Sequence, residues 1–132
     1  MTSCMEKKRI LIVDDDPDLV ETVSMMLEAK GFVPILAYGG IEGLEKARKE
    51  RPDLIVLDVM MPDKDGYAVC NELKKDAFFK EIPIILLTAI GDHITTTTYT
   101  LRGGMETLAD DFFQKPVNTQ SLVNRIDQLL KG

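Results

Sequence analysis

Two short runs of branched aliphatic residues in this chain each end in aspartate. Ile10-Leu11-Ile12-Val13 leads into Asp14-Asp15-Asp16, and Leu54-Ile55-Val56-Leu57 leads into Asp58. A run of this kind reads as a strand buried on both faces, the type found in parallel sheets covered by helices. Open α/β sheets bind their ligands at the carboxyl ends of the strands. Two buried strands that deliver carboxylates to one edge make an acidic pocket. Like charges there raise one another's pKa unless a cation neutralises them. The pattern predicts a parallel α/β fold with a divalent-metal site at one edge of its sheet.

The rest of the chain fits that frame. After the first strand, Leu19, Val20, Val23, Met26 and Leu27 fall on one helical face. Asp16 suits its N-cap, Pro17 its first turn and Gly31 its stop. A second strand is expected over 32–37, a helix over 40–50 stopped by Pro52, the third strand over 53–58 and a helix over 67–75. Residues 83–88 read as a fourth strand and 111–115 as a fifth. The last helix carries Leu122, Val123, Ile126, Leu129 and Leu130. Alternating strands and helices argue a parallel sheet with helices on both faces. Residues 1–8 are expected to be a flexible N-terminus and 9–132 one domain.

Composition narrows the function. At 132 residues with a net charge of −6, the chain as a whole repels nucleic acid and anionic membrane. Its apolar runs fall short of the ~20 residues a membrane span needs. Cys4 and Cys70 make neither a disulfide framework nor a zinc site, which suits a reducing, cytoplasmic setting. Cys70 reads as core, and His93 as a surface residue with no metal partner at ligand spacing.

Five parallel strands sharing one edge would bring together Asp14 and Asp15, Asp58, Thr88 and Lys115. A carboxylate attacks a phosphoryl group only if their mutual repulsion is screened. Mg²⁺ does this through about six oxygen ligands. A hydroxyl and an ammonium can then hold the remaining phosphoryl oxygens.

The segments Val13-Asp14-Asp15-Asp16-Pro17, Leu57-Asp58-Val59-Met60-Met61-Pro62-Asp63-Lys64-Asp65-Gly66, Leu87-Thr88-Ala89 and Ala109-Asp110-Asp111-Phe112-Phe113-Gln114-Lys115-Pro116 resemble the successive signatures of response regulator receiver domains. The resemblance covers nearly the whole chain. It implies a flavodoxin-like doubly wound sheet of five strands in the order 2-1-3-4-5. It implies that Asp58 is the phosphoacceptor and that Asp15, Asp58 and the backbone carbonyl of Met60 bind Mg²⁺, with Asp14 assisting through water. Thr88 and Lys115 would contact the phosphoryl group. Phe112 occupies the aromatic switch position, although its pattern also suits plain core.

On this reading the chain is a signalling switch and not an enzyme acting on an external substrate. It catalyses its own phosphorylation and a slow dephosphorylation, since neither Met60 nor Ile90 can orient an attacking water. A histidine kinase or histidine phosphotransfer protein would be the donor. The face built from the fourth helix, fifth strand and fifth helix would change to control an output partner or domain, and phosphorylation-dependent dimerisation is a further outcome. A phosphatase of the haloacid dehalogenase type would need an acid two residues after Asp58, where Met60 stands. A pseudo-receiver would lack an acidic or lysine site residue, and here all are present. The threonine-rich segment 91–108 departs from the family's pattern and is expected to be a short, shifted or partly disordered fourth helix.

Overall fold

The computed structural model describes residues 7–88 and 109–131. The elements are β1 (Arg9–Val13), α1 (Pro17–Ala29), β2 (Val33–Ala37), α2 (Gly40–Glu50), β3 (Leu54–Asp58), α3 (Gly66–Lys74), β4 (Ile84–Thr88), β5 (Asp111–Gln114) and a C-terminal helix (Thr119–Lys131). The five strands form one sheet in the order β2-β1-β3-β4-β5. Every neighbouring pair is parallel. This is the expected doubly wound arrangement.

The strands are apolar on both faces because both are covered. Leu11, Val13, Ile55, Leu57, Ile84 and Leu86 join the core that includes Leu44 and Ala47 of α2 and Val69, Cys70 and Leu73 of α3. Ile10, Ile12, Leu54, Val56, Ile85 and Leu87 join the opposite core with Val20, Val23 and Leu27 of α1 and Leu122, Val123 and Ile126 of the C-terminal helix. Period-two alternation along each strand makes that division. Each such aliphatic side chain contributes about 1.5–3 kcal/mol on burial.

Local signals place the helix ends as expected. The Asp16 side chain accepts from the Asp18 N–H at 3.0 Å, and Gly31 closes α1 with a φ of +91°. Asp65 caps α3 by accepting from the Ala68 N–H at 2.9 Å. Edge strand β2 contains Pro34, and Lys46 donates to its Leu36 carbonyl at 2.6 Å. Both features blunt a free edge. A short 3₁₀ turn, Phe79–Glu81, had no counterpart in the sequence reading.

The first and fifth strands, expected over 9–14 and 111–115, each stop one residue early. β1 stops at Val13, because Asp14 Oδ1 accepts from the Asp16 N–H at 2.9 Å and turns the chain off the sheet. β5 stops at Gln114, because Pro116 has no N–H with which to continue the ladder beyond Lys115. The fourth helix expected within 91–108, together with Cys4, Ile90 and His93, lies outside the described residues. Among the described residues no helix is long and apolar enough to cross a membrane.

Candidate functional site

Parallel register carries the polar residues to one place. Val13 is level with Leu57, and Asp58 with Leu87, so Asp14, Asp58 and Thr88 emerge side by side at the carboxyl edge. Thr88 is level with Gln114, and its carbonyl accepts from the Lys115 N–H at 2.6 Å. That bond fixes the backbone from which Lys115 reaches back over the pocket. Gly66 lets α3 begin directly against β3. A Cβ at that position would lie 2.3 Å from the Asp58 carbonyl oxygen.

Carboxylate oxygens of Asp14, Asp15 and Asp58 lie within 4.8 Å of one another. Asp14 is fully buried, Asp58 is 2% exposed, and Asp15 faces solvent. Lys115 Nζ is 2.9 Å from Asp14 Oδ2 and 3.4 Å from Asp58 Oδ2. One ammonium thus serves two buried carboxylates. Among the described residues, Asp14 Oδ2 is buried with this ion pair and without a further hydrogen-bond partner.

The electrostatics follow from this crowding. Burial, then the Asp14 carboxylate, push the Asp58 carboxyl up to about 7, against the opposing pull of Lys115 and of the Met60 N–H. Burial works against the Lys115 charge, but the two carboxylates outweigh it and hold the ammonium above its ordinary range. An orphaned carboxylate oxygen and an all-oxygen donor set with excess negative charge fit a hard divalent cation such as Mg²⁺.

The structure brings Asp14, Asp15, Asp58 and Lys115 together, with Thr88 buried at the adjoining strand end. The Met60 N–H donates to Asp58 Oδ1 at 3.2 Å, and the Met60 side chain is 57% exposed. Phe112 is half-buried on β5 and packs against the core on the α2 and α3 side. Sequence reasoning gave Asp63 no role. In the structure its carboxylate receives two backbone N–H groups at the start of α2. The available signal was the Gly39-Gly40 pair, which leaves that helix without a capping side chain of its own.

Known proteins resemble this chain in sequence and fold. The profile of the response regulator receiver domain matches residues 10–127. A probable transcriptional regulator ycf27 of Cyanophora paradoxa is 42% identical over 127 residues, covering 96% of this chain and 50% of that protein. The DNA-binding dual master transcriptional regulator RpaA of Synechocystis is 39% identical over 126 residues, covering 93% of this chain and 49% of the relative. The chain thus spans about half the length of these curated relatives. Among solved structures, a response regulator from Chloroflexus aurantiacus superposes with a TM-score of 0.81 at 33% identity, covering 96% of this chain and all of the other. A CheY-like receiver domain from Methanospirillum hungatei does so with a TM-score of 0.83 at 28% identity, covering 96% and 95%. The profile match, the relatives' identity and the shared fold agree, and the chain belongs to the response regulator receiver domains, the phosphoryl-accepting modules of two-component signalling.

Proposed function

We propose that Asp58 is the residue that accepts the phosphoryl group, from a phosphohistidine of a kinase or phosphotransfer protein. The observation that carries this is the buried Asp58 carboxyl, facing Lys115 Nζ at 3.4 Å inside a cluster of three carboxylates. An ionised Asp58 oxygen attacks phosphorus, and the new O–P bond forms as the P–N bond to the donor imidazole breaks. With its pKa near 7, Asp58 is only partly ionised at neutral pH, and a cation held in the pocket would favour the ionised, reactive form. Asp14, Asp15, Asp58 and the Met60 carbonyl would hold that Mg²⁺, which supplies the charge screening that lets a phosphoryl group approach. Lys115 moves from the carboxylates to the phosphoryl oxygens, and the Thr88 hydroxyl donates to another.

Phosphorylation leaves nearly two negative charges at Asp58, where the carboxylate carried at most one. The readout runs from Thr88 and Lys115 into β5, Phe112 and the C-terminal helix, with the fourth helix expected within 91–108 completing the face. Moving such a switch from 1% to 99% active requires a bias of about 5.5 kcal/mol. The output is a partner or a further domain, consistent with relatives named as DNA-binding regulators that are about twice this length. Phosphorylation-dependent dimerisation belongs to the same proposal.

The test is incubation with a small acyl-phosphate donor and Mg²⁺, followed by intact-mass measurement. One acid-stable, base-labile phosphoryl group should appear, and chelation should prevent it. Asp58→Asn should abolish the adduct, because an amide is neither a nucleophile here nor an adequate ligand. A full-strength adduct on that variant would overturn the assignment.

A further inference from the structure

Helix α2 begins at Gly40 behind Gly39, a residue with no side chain to accept the helix's free N–H groups. The cap comes from elsewhere in the chain. Asp63 Oδ1 accepts from the Gly40 N–H at 2.9 Å, and Asp63 Oδ2 from the Ile41 N–H at 3.1 Å. These two bonds, Ile41 first, hold the exposed Asp63 carboxyl below the usual carboxylate range. Contact continues along the backbone. A Cβ on Gly40 would lie 2.3 Å from the Lys64 carbonyl oxygen, and one on Gly39 3.0 Å from Asp63 Oδ2. Lys64 in turn pairs with Glu72 of α3 at 2.9 Å, and Glu72 meets Arg48 of α2 at 3.4 Å.

The clamped segment follows directly from Asp58. At its start the Val59 N–H donates to the Leu87 carbonyl at 2.9 Å. Met61 is buried and Asp63 is fixed to α2, so Met60 is suspended between two anchors. Met60 is also the residue whose N–H bonds Asp58 Oδ1. We infer that Asp63 is a positioning residue for phosphorylation: by capping α2 from a distance, it fixes the loop that presents the Met60 backbone to Asp58 and to the cation. The inference rests on the proposed function, because it concerns the same pocket.

The test measures Mg²⁺ affinity of the unphosphorylated protein by calorimetry, with thermal midpoint and initial phosphorylation rate alongside. Removing an outer partner of a metal site typically costs 10–100-fold in affinity. Asp63→Ala should weaken Mg²⁺ binding by about tenfold, the low end of that range. It should slow phosphorylation at limiting Mg²⁺, with much of the rate recovered at saturation. Asp63→Asn keeps one oxygen for the two N–H groups and should fall between the wild type and alanine. Gly40→Ala reaches the loop by a second route, pressing on the Lys64 carbonyl while leaving Asp63 intact, and should also weaken Mg²⁺ binding. Glu42→Ala is the control. Glu42 accepts from the Tyr38 N–H at 2.9 Å beside the start of α2 without touching the loop. Its loss should lower the midpoint and leave Mg²⁺ affinity unchanged.

Equal affinities for wild type, Asp63→Asn and Asp63→Ala would overturn the inference, and so would an equal loss in Glu42→Ala. Failure of the wild type itself to bind Mg²⁺ or accept a phosphoryl group would instead overturn the proposed function.

Discussion

The two edges of the sheet use the same residue types to opposite ends. At the amino edge, Asp53 and Arg9 bond reciprocally. The Asp53 N–H donates to the Arg9 carbonyl at 2.7 Å, and the Arg9 N–H donates to Asp53 Oδ2 at 2.8 Å. The Arg9 guanidinium also pairs with Glu50. At the carboxyl edge, Asp14 and Asp58 are buried and share the Lys115 ammonium, and among the described residues Asp14 Oδ2 has no hydrogen-bond partner. Among the described residues one edge is closed by its own chain, and the other keeps an excess of buried negative charge. Buried charge that is only partly compensated costs stability, and functional sites are where proteins tolerate that cost.

Changes at the two edges should therefore differ in size and in response to Mg²⁺. The largest effect is expected from Lys115→Ala, which leaves two buried carboxylates with no counter-charge among the described residues. Breaking a fully buried pair costs about 3–5 kcal/mol, and because Lys115 is partly exposed we expect about 2–3. Mg²⁺ should still bind and should recover most of the loss, as read by denaturant unfolding with and without the ion. Failure of Mg²⁺ to rescue would mean that Lys115 is mainly a packing residue.

A smaller effect separates Asp58→Asn from wild type in metal-free buffer, and it depends on pH. The folded Asp58 has its pKa raised from an ordinary 3.8 to about 7, so ionisation is harder in the folded than in the unfolded chain. Between these values the folded state binds more protons, and the wild type loses stability as pH rises from about 4 through 7. Asparagine does not titrate. The variant should gain about 1–2 kcal/mol over wild type by pH 8, after allowance for screening at the open edge, and nothing below pH 4. A constant difference across that range would contradict the charge-crowding account. The smallest effect belongs to the amino edge. Glu50→Gln weakens a partly exposed pair and should cost less than about 1 kcal/mol, with no response to Mg²⁺.

Much of this was legible in the chain. Unbroken aliphatic runs specify buried parallel strands whatever surrounds them, and Asp16, Pro17 and Gly31 act locally, so α1 was bounded well. Asp58, Asp14, Asp15, Thr88 and Lys115 could be placed together because they sit at strand ends, where register leaves little freedom. The resemblance gave adjacent Asp14 and Asp15 different roles but not their burial: one is fully buried and the other exposed, a division made by the turn at the end of β1. Asp63 escaped notice because its partners are more than 20 residues away in sequence, and no periodicity encodes such a bond. Lys74 was missed for a similar reason. Its nearly buried ammonium donates to the carbonyls of Lys80 and Ile82, contacts that depend on the unforeseen 3₁₀ turn.

Cys70 sits on the buried face of α3, and burial pushes its thiol up to about 12. At neutral pH almost none of it is thiolate, so alkylating reagents and peroxides meet an inert sulfur while the helix stays in place. In a Cys4→Ser background, slow labelling at Cys70 would therefore time how often α3 parts from the sheet. It gives the chain a native stopwatch for local opening, one that needs no fluorophore and can be run with and without a phosphoryl donor.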